Sequence, residues 1–310
     1  MRFAFSEKNI DGENMKPSKY IMQFNRRPGR LGSFLRAMYP SRGLQASGMP
    51  DIRAEWREPT ADNHSQEDFR RLAGLDVQTG NPADQLFMQT MTFPLQFAIL
   101  SHRVFPVPIW RMLQTRNRML SHRSPGRDAP LEISGRAADW RVLEKGLEVD
   151  IHIEVCSGGK PAWEGWITFF SRGRFSGNGR PVAQESPTTA QPQKQDWEGG
   201  SCLKWNAPVD GGREFSRLSG DGNPLHTWGW YARRMGWRGA TLHPHRLAAQ
   251  CLDRLGSSGQ ADSGQIELWF KGPVYYGAPL EMKHKEQDGV KTFALWADNE
   301  PRPVILGRLR

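Results

Sequence analysis

Between residues 147 and 155, Leu147, Val149, Ile151, Ile153 and Val155 alternate with Glu148, Asp150, His152 and Glu154. A period of two places one set of side chains on a core and the other toward water, so this is a half-buried strand. Ser157-Gly158-Gly159-Lys160 supplies a turn into Ala162 to Ser171, whose Trp163, Trp166, Phe169 and Phe170 suit a pleated, packed surface. Upstream, MTFPLQFAILSHRVF from Met91 is apolar on nearly all sides, with Pro94 where a helix can begin. A helix without a polar face has to be enclosed, and antiparallel strands with one apolar face can enclose it.

The same order returns downstream. HPHRLAAQCLDRLG puts Pro244 at a helix start, Leu247, Cys251 and Leu255 along one stripe, and Gly256 at the stop. Strand-like segments follow at Gln265 to Phe270, Leu280 to Lys285 and Val290 to Ala297, with Asp288-Gly289 as a hairpin turn. Phe93-Pro94 followed by Ala98 echoes His243-Pro244 followed by Ala248. A shared order of one buried helix and several antiparallel strands points to a duplication. The expected fold is α+β, a long antiparallel sheet curled around a central helix, made twice. Residues 1–80, polar and arginine-rich, are expected as an extension of irregular structure or short helices. Residues 81–172 form the first half. Residues 173–200, rich in Gly, Pro, Gln, Ser and Thr, are the linker, and residues 201–310 form the second half.

The 310 residues are 37% hydrophobic, an ordinary globular level once 32 glycines are added. No run approaches the roughly 18 to 20 apolar residues of a membrane-spanning helix. The first residues, MRFAFSEKNIDGENMK, are acidic and polar where a secretory leader is apolar, so a cytoplasmic location is expected. Cys156, Cys202 and Cys251 lack C-x-x-C spacing and read as reduced, packed thiols. The formal charge of +9 favours polyanionic partners: nucleic acid, acidic carrier proteins or phosphorylated cofactors such as coenzyme A. The positives form only short clusters, Arg26-Arg27, Arg70-Arg71 and Arg233-Arg234, which argues against nucleic acid.

The most informative string is SGDGNPLH, Ser219 to His226. Asn223 is a good N-cap and Pro224 suits the first helical position, which sets His226 in the first turn of a short helix whose dipole keeps the imidazole neutral. Asp221 lies just outside the cap, on a glycine-containing loop that can return its carboxylate toward His226. Such a pair can hold a water and move its protons. The same string also reads as an ordinary turn followed by a partly exposed histidine. His243 and His245, alternate residues near His226, offer a metal-binding reading, but Pro244 marks a helix start and no acidic fourth ligand is evident, so no metal is expected. Trp228, Trp230 and Trp237 are expected in the core or a tunnel wall.

Gly212 to Leu255 resembles the signature of the MaoC-like dehydratases, the (R)-specific enoyl-thioester hydratase branch of the hot-dog fold. LWFKGPVYYGAPLEM from Leu268 resembles a later strand and turn of that family. FPLQFAILSHRVFPVPIWRMLQTRNRM from Phe93 resembles the first half of its two-domain members. The resemblance covers roughly Met91 to Arg310 and implies a double hot-dog fold. By the same resemblance, Asp221 and His226 match the catalytic pair that adds water to trans-2-enoyl thioesters or eliminates it from (3R)-3-hydroxyacyl thioesters. It makes Gly220, Asn223, His243 and His245 substrate-binding positions and calls for neither metal nor cofactor. The implied substrate is an acyl-CoA or acyl carrier protein thioester. A homodimer is compatible with the fold. Pro244 stands where the family usually has a glycine whose N–H contacts the thioester carbonyl, so that contact is expected either to shift to a neighbour such as His245 or to be absent. The first half is expected to lack a catalytic pair.

Overall fold

The computed structural model describes residues 19–37, 41, 43–44, 48–60, 63–75, 82–125, 129–175, 190–256 and 264–310. The strands are β1 Lys19–Phe24, β2 Asp51–Thr60, β3 Leu113–Ser121, β4 Pro130–Leu143, β5 Gly146–Ser157, β6 Lys160–Arg172, β7 Ser201–Asn206, β8 Gly264–Phe270, β9 Pro279–Gln287, β10 Val290–Ala297 and β11 Ile305–Leu309. The helices are α1 Arg30–Ala37, α2 Asn63–Ala73, α3 Asp84–Met91, α4 Phe93–Leu100, α5 Gly212–Ser219, α6 Gly229–Arg234 and α7 Pro244–Arg254.

All strands join one sheet in the order β1-β2-β4-β5-β6-β3-β8-β11-β10-β9-β7. Outward from the central β3–β8 pair, the strands run β6, β5, β4, β2 on one side and β11, β10, β9, β7 on the other. Each side therefore uses its second, fifth, fourth, third and first strands in the same sequence, and between its first and second strands each places three helices, α2 to α4 in one and α5 to α7 in the other. This is the expected duplicated fold, a double hot-dog.

The apolar face predicted for β5 is real: Leu147, Val149, Ile151, Ile153 and Val155 are fully buried. Every residue of α4 is buried, as a helix apolar all round requires. Gly135 in β4 lets α4 lie close to the sheet, because a Cβ there would fall 2.6 Å from Ile153 and 3.1 Å from Ile99. Leu247 and Cys251 of α7 and Leu255 at its C-cap share the inward stripe. The Asp288-Gly289 turn has positive φ at both residues, as a primed hairpin turn demands. One hydrophobic cluster runs through both halves, so neither closes its core alone.

The region before residue 80 departs from expectation. It supplies β1, which runs parallel to β2 at the sheet edge, and β2 itself, the first strand of the N-terminal half. Ile52, Ala54 and Trp56 of β2 are buried. In the stretch expected as linker, the described residues include a short turn at Lys194–Asp196, while 176–189 lie outside the described residues. Of the three free thiols, Cys251 is buried, but Cys202 is exposed on edge strand β7 and not packed.

The fit around Gly135 predicts that Gly135→Val destabilises the protein by about 1–3 kcal/mol, since the added carbons meet Ile153, Ile99 and Leu95 in a close-packed layer. Urea unfolding measures it, and an unchanged midpoint would contradict that packing.

Candidate active site

The loop that carries Asp221 is built from the end of α5. The helix stops at Gly220, whose φ of 79° is left-handed and whose missing Cβ leaves room for Pro94 of α4, 2.8 Å from where that atom would sit. Asp221 follows. Its N–H donates to Ser219 Oγ at 3.1 Å, its carbonyl accepts from Ser216 Oγ, and its Oδ1 accepts from the Asn223 N–H at 2.8 Å. Asn223 caps the next turn, its Oδ1 accepting from the Leu225 N–H at 3.1 Å. That turn, Pro224–His226, is a single 3-10 turn, too short for a useful dipole. The predicted reason for a neutral His226 is therefore replaced by burial.

His226 Nδ1 lies 3.1 Å from the Thr241 carbonyl and 3.1 Å from Thr241 Oγ1. The carbonyl can only accept, so Nδ1 carries the hydrogen and Nε2 is bare. His226 Nε2 faces Asp221 Oδ2 at 3.8 Å, which is beyond a direct hydrogen bond. His243 completes the group. As N-cap of α7, its Nδ1 accepts the His245 N–H at 3.1 Å. Its hydrogen must then sit on Nε2, and it points at Asp221 Oδ2, 3.3 Å away.

These proton positions fix what the centre can do. Asp221 Oδ2 and His226 Nε2 are both acceptors, and two acceptors facing one another suit a shared donor. One water can give a hydrogen to each and keep a lone pair for attack. Burial alone would raise the Asp221 carboxyl, but the His243 hydrogen bond, the His226 and His243 rings and the Asn223 N–H outweigh it and hold it at about 2. Burial pushes His226 down and His243 adds to this. Asp221 and the Thr241 carbonyl oppose them only in part, leaving it at about 4. Both groups are bases at neutral pH.

Asp221, His226 and His243 also bring three ligand atoms within 4.8 Å of one another. The cap bond weighs against a metal. For His243 Nε2 to ligate it would have to be bare, yet the His245 N–H already occupies Nδ1, so only two ligands remain. The His226, His243 and His245 set considered from the sequence does not assemble. His245 is fully buried, its Nδ1 3.2 Å from Thr90 Oγ1 and its Nε2 3.3 Å from Gln114 Nε2, both in the N-terminal half.

The predicted residues thus separate. Asp221, His226 and His243 converge, while Asn223 and Gly220 shape the loop. The proposed shift of the carbonyl contact to the His245 N–H does not hold, because that hydrogen belongs to His243. The Arg246 N–H is also used, on the His243 carbonyl at 3.1 Å. In the N-terminal half the same place along the chain, between α2 and α3, reads Thr79-Gly80-Asn81-Pro82-Ala83-Asp84. It matches Asp221-Gly222-Asn223-Pro224-Leu225-His226, with Thr for Asp and Asp for His. The first half thus carries a comparable string, with neither the Asp nor the His at those two positions. The repeated Gly-Asn-Pro was the readable signal. Asp84 is held there by Arg70 at 2.7 Å. Trp228 and Trp230, expected in the core or a tunnel wall, are exposed.

No protein-family profile matches the chain. Over 223 residues it is 24% identical to 3-hydroxyacyl-thioester dehydratase X of Mycobacterium tuberculosis, covering 71% of this chain and 75% of that protein. The crystal structure of that dehydratase, HtdX, aligns with a TM-score of 0.68 at 20% identity over 83% of this chain and 99% of the other. A MaoC-like dehydratase from Phytophthora capsici aligns with a TM-score of 0.70 at 15% identity over 86% and 97%. The chain has the double hot-dog fold of the MaoC-like dehydratases. Among its described residues no helix is long and apolar enough to cross a membrane.

Buried histidines make its stability depend on pH. Burial lowers His102 and His226 to about 4 and His245 well below its usual range. Unfolded, all three titrate near 6.5, so the unfolded chain takes up protons first as pH falls. Their contribution is complete above about 6.5 and drains away toward 4, at up to about 4 kcal/mol per pH unit for three protons. Urea midpoints at pH 7 and pH 5 test this, and equal midpoints would contradict buried neutral rings.

Proposed function

We propose that this protein is a hydro-lyase that interconverts trans-2-enoyl and (3R)-3-hydroxyacyl thioesters. The reading is carried by one observation, the two bare acceptors Asp221 Oδ2 and His226 Nε2 at 3.8 Å. In hydration a water held by both loses one proton to the pair as its oxygen bonds to C3, and the proton is returned to C2. In dehydration the pair removes the C2 proton and protonates the departing hydroxyl. The thioester carbonyl takes the electron pair in between. The fold and the M. tuberculosis dehydratase support this substrate class.

In this reading His243 is a positioning residue. Its N–H aims the Asp221 carboxylate and keeps it ionised, while its other nitrogen is pinned by the helix cap. The N-terminal half contributes through His245, which Thr90 and Gln114 hold in place.

A second reading, a non-catalytic thioester binder, is favoured by the start of α7. Pro244 has no N–H, and the next two N–H groups are consumed by His243, so the usual helix-start donors to a thioester oxyanion are spent.

Both readings meet the same assay. Crotonyl and longer enoyl thioesters should lose their enoyl absorbance with wild-type protein, and Asp221→Asn and His226→Ala should each lower kcat by at least about 100-fold. Binding without turnover would establish the binder instead. The wild-type pH profile should fall on the acid side near pH 4, where His226 takes a proton.

His243→Asn separates positioning from binding. Asparagine can still cap α7 but is too short to reach Asp221. We expect kcat to fall about tenfold or more with KM little changed, and the acid limb to move to higher pH as burial dominates Asp221. A raised KM with unchanged kcat and pH profile would make His243 a substrate contact.

A further inference from the structure

Two residues beyond His226 the chain turns its large side chains outward. Trp228 is 44% exposed, Trp230 63% and Met235 56%. The two indoles stack, centroids 6.0 Å apart at 17°. Arg233 and Arg234, at the end of α6, are also exposed and form no ion pair among the described residues. Arg238, close by, is occupied by Asp298 and the Tyr275 ring. The short helix packs on the 3-10 turn that carries His226, so the patch borders the catalytic centre.

Its composition identifies the kind of partner. Exposed aromatic residues, methionine and arginine are what protein interfaces concentrate, and tryptophan and arginine dominate their hot spots. A small ligand such as coenzyme A needs a concave site that buries most of its surface, and side chains as exposed as Trp230 and Met235 provide no such walls. A second copy of this chain would bring Arg233 and Arg234 toward like charges on a protein of net charge +9. The remaining fit is an acidic protein surface beside a thioester site.

We propose that Trp228, Trp230, Arg233, Arg234 and Met235 form the docking surface for an acidic acyl carrier protein that delivers its phosphopantetheine thioester to Asp221 and His226. The choice of a carrier protein rests on the thioester reading above. The arginines steer the acidic partner, and Trp230 and Met235 supply the apolar contact that holds it.

The test offers one enoyl chain on two carriers, an acidic acyl carrier protein and coenzyme A, to wild type, Arg233→Glu/Arg234→Glu and Trp230→Ser. Turnover of the coenzyme A thioester should stay within about twofold, while KM for the carrier-protein thioester rises about 10- to 30-fold at similar kcat. With wild type, that KM should also climb with salt. Equal losses on both carriers, or no loss on either, would overturn the proposal. So would concentration-dependent self-association that Trp230→Ser abolishes. If neither thioester is turned over, the hydro-lyase reading fails separately. Docking is then read by titrating 15N-labelled holo-carrier protein, whose shifts should move with wild type and stay still with the double arginine variant. Shifts that stay still with wild type would refute the docking surface.

Discussion

The antiparallel pairing of β3 with β8 is the contact on which the rest of the molecule depends. Six residue pairs, from Arg116 opposite Trp269 to Ser121 opposite Gly264, join the six strands on the β3 side and the five on the β8 side into one sheet. At this seam the buried Glu267 meets Arg116 at 2.6 Å and Arg308 at 3.9 Å, and both guanidiniums lie over Trp269. A buried ion pair adds little net stability, because desolvation offsets its attraction. It does penalise a slipped register, since a one-residue shift would leave the Glu267 charge buried without its arginines. The seam thereby sets which side chains of the two halves can meet.

What meets there is the support of the loop that carries Asp221 and His226. Arg246 and Gln250 of α7 reach the carbonyls of Leu72 and Ala73 at the end of α2. In the reciprocal position, the end of α5 rests on Pro94 of α4, and Arg27 donates to the Leu218 carbonyl. Each half's central helix is braced by the other half. His245 follows the same logic, lying in the C-terminal half with its ring nitrogens against the N-terminal one. A carboxylate and an imidazole can be held 3.8 Å apart only if their backbone does not drift, and that rigidity comes from both halves together.

The duplication is symmetric in topology and asymmetric in chemistry. Both halves keep Gly-Asn-Pro ahead of the central helix, and both carry a proline in that helix's first turn. In sequence one has Asp and His at these positions, the other Thr79 and Asp84, and Asp84 is tied to Arg70. The N-terminal half has kept the scaffold and directs its polar side chains, Thr90 and Gln114, toward its neighbour.

By itself the sequence determined the elements whose signals are local and long. The period of two in β5, the apolar run of α4 and the stripe of α7 follow from which side chains tolerate water, and the repeated order of those elements gives the duplication. Asp221, Asn223 and His226 were readable because a turn motif is short and contiguous. Strands β2, β7 and β11 carry only two to four inward apolar residues each, too few to stand out before their sheet neighbours are known. Tertiary structure alone decided the rest. It bent His243 back onto Asp221, spent the His245 N–H on a cap, sent the His245 ring to the other half, and left Trp228 and Trp230 in solvent. Each of these depends on partners far away in the chain, and a hydrogen bond or a buried face has no meaning until both sides of it are in place.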